Sequence, residues 1–136
     1  MNVCRSIVSL FIILGLIGCA STQGRLNRSV LESALPYDRA WQAALEGALN
    51  YYPRVAIEDK EKGFFQTVWN ERKVGVILGG PVKRTRLIGR VTNRDPFRLQ
   101  LTLEEEAFSM ELGRWLPSSP DEIFFNEIAQ NIRLRL

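Results

Sequence analysis

The chain has 136 residues, 46% of them hydrophobic and 24% charged, a length for one small domain and a composition that excludes a disordered tail, a collagen-like chain or a coiled coil. With 18 basic and 15 acidic residues the net charge is +3, too mild to argue for nucleic acid. Histidine is absent, which removes Ser-His-Asp and Cys-His nucleophile arrangements together with the commonest zinc and haem ligand.

Arg5 is the only charge ahead of an apolar run from Ile7 to Ile17 that is interrupted by Ser9 and Gly15. A charged start followed by a short apolar core is the pattern of an export signal. A spanning helix needs about 20 apolar residues, whereas this run meets Ser21, Thr22, Gln23 and Arg25 soon after Gly18. Leu16-Ile17-Gly18-Cys19 resembles the bacterial lipobox, in which a small residue precedes a cysteine that takes a diacylglyceryl thioether and becomes the new N-terminus. The resemblance implies a signal peptide over residues 1–18, lipidation of Cys19, and several acyl chains, which anchor far more firmly than one. Ala20 stands where an inner-membrane retention signal would place aspartate, so the same resemblance implies the periplasmic face of the outer membrane. Cys4 and Cys19 are the only cysteines, and with Cys4 removed the mature chain forms no internal disulfide. Residues 19–35, rich in Ser, Thr, Gln, Asn and Arg, read as a lipidated N-terminus and tether. That leaves residues 36–136 as a single domain.

From Pro36 apolar residues recur at helical spacing through Tyr37, Ala40, Trp41, Ala44, Leu45, Ala48 and Leu49, and Tyr51-Tyr52-Pro53 ends the pattern. Pro36 opens the helix and Asp38 suits its positive end; Gly47 either weakens it or permits close packing. Arg54–Asp59 and Phe64–Glu71 read as strands joined through Lys60-Glu61-Lys62-Gly63, with the glycine supplying positive φ. Alternation puts Phe65, Thr67 and Trp69 on one face of the second strand, and makes Trp69 the expected keystone between sheet and helix. Lys73 to Pro81 is ambiguous, because Gly75, Gly79, Gly80 and Pro81 interrupt its apolar residues. Val82–Thr92 reads as a strand that turns through Asn93-Arg94-Asp95-Pro96 into Phe97–Glu104. In this last strand Phe97, Leu99, Leu101 and Leu103 alternate with polar residues. Phe108, Met110 and Leu112 continue on even numbers, which predicts a bulge or bend at Glu104-Glu105-Glu106. Ser119-Pro120-Asp121-Glu122 reads as a helix start capped by Ser119. Ile123, Phe124, Ile128, Ala129 and Ile132 then line one side, and Arg133 and Arg135 suit the negative end. The predicted fold is α+β: two helices on one face of an antiparallel sheet of four or five strands, with the other face open to water or a partner.

The lipobox, the helix around Tyr37 and Trp41, the hairpin through Gly63-Phe64-Phe65-Gln66-Thr67-Val68-Trp69 and the arginine-bearing strand after it resemble the helix-grip domains of BamC, the lipoprotein accessory of the β-barrel assembly machinery. The likeness covers roughly residues 37–136. It implies an accessory or scaffold subunit of an envelope complex and no catalytic residue.

Between Arg72 and Arg98 eight basic residues accompany one acid, Asp95. Arg84, Arg86 and Arg90 share a strand face, forming a basic strip for docking an anionic surface or an acidic partner; the competing reading pairs them with Glu104 or Glu106 on a neighbouring strand. Trp115, before Pro117 in a polar stretch, is expected to be exposed and to bind. Glu104-Glu105-Glu106 with Glu111 superficially suggests paired carboxylates for hydrolysis or a cation, but adjacent residues on a strand point apart. Gly79-Gly80-Pro81 with Lys83 lacks the Gly-Lys-Ser/Thr ending of a phosphate loop, while Val74–Leu78 is apolar enough to enter a membrane or a groove. The sequence thus predicts a non-enzymatic, lipid-anchored accessory protein with no metal and no cofactor, partnered by the membrane and an envelope complex. The alternative is a carrier or sensor that holds a lipid or glycan between helix and sheet.

Overall fold

The computed structural model describes residues 27–73 and 82–136. The export signal, Cys19 and the Val74–Pro81 stretch lie outside the described residues. The order of elements is β1 (Asn27–Ser33), α1 (Tyr37–Leu49), β2 (Val55–Asp59), β3 (Phe64–Thr67), β4 (Asn70–Lys73), β5 (Val82–Arg94), β6 (Phe97–Ser109), β7 (Arg114–Ser118) and α2 (Glu122–Arg133). All pairings are antiparallel, in the order β1-β6-β5-β3-β2, with β4 pairing β5 beyond β3 and β7 pairing β6 beyond β1. The expected α+β class with two helices on one face is present, but the sheet has seven strands rather than four or five. The extra ones are short segments alongside the two 13-residue strands.

The strict alternation of β6 fixes the core. Phe97, Leu99, Leu101 and Leu103 are fully buried beside Leu87 of β5 and Phe65 of β3, and α1 covers them with Ala40, Trp41, Ala44 and Ala48. From α2, Phe125, Ile128, Ala129 and Ile132 complete the layer. Among the described residues the buried core runs from Leu31 to Ile132. Trp41 meets Phe65 edge-on, with ring centroids 5.9 Å apart, a geometry aromatic pairs favour. Phe65 reaches this position by lying across Gly89: a β-carbon there would stand 2.1 Å from the Phe65 ring. The same economy of space brings the helices together, because a β-carbon on Gly47 would stand 2.7 Å from Ile132. Of the two expectations for Gly47, close packing is the one observed. Gly63 ends the β2–β3 turn with φ 63°, as expected of that position.

Several expectations are corrected. Asn27–Ser33, assigned to the tether, is edge strand β1, paired residue for residue with Leu103–Phe97. Its Leu31 and Ser33 are buried while Arg28, Val30 and Glu32 are exposed, a period of two hidden by its mostly polar composition. The strand expected from Phe64 to Glu71 is broken at Val68-Trp69 into β3 and β4. No bulge occurs at Glu104–Glu106, where the register with β5 is continuous; the shift lies between Val91 and Asn93. Helix α2 is capped by Asp121, not Ser119: the Asp121 carboxylate accepts from the backbone N–H groups of Ile123 and Phe124. Its buried stripe begins at Phe125, leaving Ile123 exposed.

Candidate functional site

Since Thr85, Leu87 and Gly89 point into the core, Arg84, Arg86, Ile88 and Arg90 project from the face that carries neither helix. The register sets Arg84 opposite Glu106, Arg86 opposite Glu104 and Arg90 opposite Gln100. Arg84 Nη2 lies 2.6 Å from Glu106 Oε2 and Arg86 Nε 2.6 Å from Glu104 Oε2. Farther along, Arg98 pairs with Glu32 at 2.9 Å. The predicted strip is therefore a cross-strand ladder of ion pairs, the competing reading of the sequence, and not a bare positive field. Arg90 is the exception: it pairs with no carboxylate among the described residues and lies over the Phe64 ring at 5.5 Å.

The arginines also organise the aromatics. The Arg84 guanidinium lies 4.7 Å from the Trp69 ring centroid and 4.3 Å from that of Trp115, and Arg86 lies 4.5 Å from Trp69. Trp115 in turn meets Phe108 at 5.3 Å, close to perpendicular. Each such guanidinium–ring contact contributes about 0.5–1 kcal/mol when exposed and more when desolvated. Trp115, expected in a polar loop, sits half-buried on β7. The sequence reading missed Trp69 as a member of this face. It was expected beneath the sheet against a helix, but it lies on the opposite side. The reason is the break between β3 and β4. The Thr67 hydroxyl accepts from the Leu87 backbone N–H inside the core, and Asn70 pairs with core-facing Thr85. The two residues between therefore step around, and Trp69 is turned outward. Its keystone role falls to Trp41.

On the core side, the continuous β6 alternation places Glu105 where an apolar residue would stand, with its side chain 0% exposed. The carboxylate accepts from Lys83 Nζ at 2.6 Å, the Ser118 hydroxyl at 2.7 Å and the Asp121 backbone N–H at 3.4 Å. Beside it the Arg72 guanidinium lies 3.7 Å above the Phe124 ring and 3.5 Å from Asp121 Oδ2. Tyr52 donates to the Thr85 hydroxyl at 3.1 Å, and burial pushes its own hydroxyl up to about 12 despite that bond. The Phe124 backbone N–H, with help from that of Ile123 and from Arg72, holds the Asp121 carboxyl below its usual value against a smaller opposing effect of burial. Glu104, Glu105 and Glu106, the acids that superficially suggested hydrolysis, are each held by a cation on β5. Among the described residues no three metal-ligating side chains gather, and no helix is long and apolar enough to cross a membrane.

Against known proteins, no family model matches this chain. No curated protein matches it either. The lipidation of Cys19 and the readings of Val74–Leu78 and Gly79-Gly80-Pro81 lie outside the described residues. What the described residues bring together are Arg84, Arg86 and Trp115 with Trp69, while Arg90 stands apart over Phe64.

Proposed function

We propose that the protein is a non-enzymatic lipoprotein, anchored through Cys19 to the periplasmic face of the outer membrane, that serves as an accessory or scaffold subunit of an envelope complex. The observation that supports this reading best is the pair of half-buried tryptophans, Trp69 and Trp115, held on the helix-free face by Arg84. Tryptophan and arginine are the side chains that most often dominate protein interfaces, and here Arg84 already contacts both rings and Glu106 within the chain itself. Neutralisation of Arg84 and Arg86 by Glu106 and Glu104 favours a protein surface of mixed character over a purely anionic one. One helix before the β2–β7 run and one after it, both on one face of the sheet, support the helix-grip likeness, and barrel assembly is the complex that likeness suggests.

The carrier alternative needs room between helices and sheet. That layer is occupied by Trp41, Phe65, Leu99, Leu101 and Ile128, each exposed by 2% or less. The test is co-purification from detergent-solubilised membranes of the full-length protein and of Trp115→Ala, alongside palmitate labelling of the full-length protein and Cys19→Ser. The expected result is label that depends on Cys19 and a stable protein complex lost in Trp115→Ala. Purification of a lipid-bound monomer with no partner would reject the scaffold reading, and palmitate incorporation independent of Cys19 would reject the anchor.

A further inference from the structure

The turn joining β6 to β7 carries Met110, 86% exposed, and Leu112, 54% exposed. Neither is explained by the core, and the docking face begins only behind them, at Phe108 and Trp115. Three observations converge on what this turn meets. The first is composition: Met110 and Leu112 flank the exposed Glu111 at the hairpin tip, and Arg114 follows at the start of β7. Apolar side chains at an apex with charged ones beside them suit a bilayer surface, the first meeting acyl chains and the second headgroups.

The second is the place where the chain leaves the described domain. Strands β1 and β7 pair with the same edge of β6, and Asn27 stands opposite Leu103. Strand β1 runs away from the turn, so Asn27 is its residue nearest the tip. From Leu103 to Ser109, the last residue of β6, is about 20 Å at the usual rise of a strand. The third is reach: the eight peptide links between Cys19 and Asn27 span at most about 28 Å. A domain held this closely to a bilayer has its exit edge within reach of it, and the tip lies within the same distance of the exit as the anchor does.

We infer that the Met110–Gly113 turn is a bilayer-contact element: Met110 and Leu112 enter the acyl region, with Glu111 and Arg114 at the level of the headgroups, and so fix the orientation of the tethered domain. This deepens the proposed function and rests on its lipid anchor. The occupant is a phospholipid surface and not a protein groove, because a tether of at most about 28 Å keeps the tip within reach of the bilayer that holds Cys19.

Cys19 is the only cysteine of the mature chain, so residues 19–136 can be coupled through it to a maleimide lipid in phosphatidylethanolamine–phosphatidylglycerol vesicles. This separates the orientation question from whether cells acylate Cys19. Brominated acyl chains quench a tryptophan that enters them. Met110→Trp places a reporter at the tip; Leu134→Trp places one at another exposed site, 78% accessible, at the end of the sheet where Ser33 meets Leu136. The expected result is quenching of the added emission in Met110→Trp, none in Leu134→Trp, and relief of the first on adding Leu112→Asp. Equal quenching of the two reporters, no quenching of either, or quenching indifferent to Leu112→Asp would overturn the inference. Palmitate labelling of Cys19 in cells could still succeed in that event, so the two readings fail separately.

Discussion

Glu105 is the least expected side chain of the structure, and its cost of removal can be worked out from its neighbours. Glu105→Ala deletes a carboxylate with no exposed surface and leaves Lys83, the Ser118 hydroxyl and the Asp121 amide without their acceptor. Breaking a buried ion pair from one side costs about 3–5 kcal/mol. The Lys83 side chain is 25% exposed and its ammonium can recover water, which places the loss at the lower end, about 3 kcal/mol. With a urea m-value of about 2 kcal/mol/M for a domain of this size, the midpoint falls by about 1.5 M. The informative comparison is the double variant Lys83→Met/Glu105→Leu. Replacing both charges with apolar groups of similar volume is close to neutral, leaving about 1 kcal/mol for the abandoned Ser118 hydroxyl. Urea unfolding of residues 19–136 followed by tryptophan fluorescence, run as a double-mutant cycle, reads the coupling directly. If the double variant loses as much as the two single variants combined, Glu105 and Lys83 do not act as a pair and the argument fails.

Three further outcomes follow from the packing and the titrating groups. Gly89→Ala forces a methyl group into the Phe65 ring and should cost about 1–3 kcal/mol, most of it recovered by adding Phe65→Leu; equal midpoints for Gly89→Ala and the native protein in thermal unfolding would show that the ring moves aside freely. Tyr52 has a folded-state pKa raised to about 12 above an unfolded value near 10, so its contribution is complete below about pH 10 and is lost as pH rises toward 12. Alkaline unfolding should therefore flatten in Tyr52→Phe, and an unchanged pH profile would count against the buried hydroxyl. Asp121 titrates in the other direction: its folded carboxyl is held low by the Phe124 N–H, so the cap stabilises above the unfolded value near 3.9 and fades as pH falls through the folded one. Asp121→Ala should cost about 1 kcal/mol at neutral pH and less once both states are protonated, when only the neutral cap is left to lose, as circular dichroism melts at the two pH values would show.

The β6 alternation, the first helix and the Gly63 turn were legible because each follows from one local rule: a period of two, a period near 3.6, or a φ that only glycine tolerates cheaply. The pairing of Arg84 and Arg86 with Glu106 and Glu104 was legible as one of two readings, since opposite charges on one face of adjacent strands find each other once the register is known. What was hidden depended on partners distant in sequence. Strand β1 reads as tether because only the apolar edge of β6 makes strand pairing worthwhile for Asn27-Arg28-Ser29-Val30. Glu105 reads as one of a solvated or arginine-paired cluster, and its apparent shift of parity as a bulge, because the lysine that neutralises it is 22 residues away. Trp69 was assigned to the wrong side because the interruption after Thr67 is set by hydrogen bonding to β5, to which its own neighbours give no clue.

Among the described residues the two longest strands occupy the middle of the sheet, while every strand along its margins has seven residues or fewer, and β2 is kinked between Val55 and Ile57. Unpaired backbone at a sheet's rim invites a neighbouring copy to add itself on. Among the described residues, a perimeter cut into brief, irregular pieces denies a neighbouring copy a template long enough to zip together.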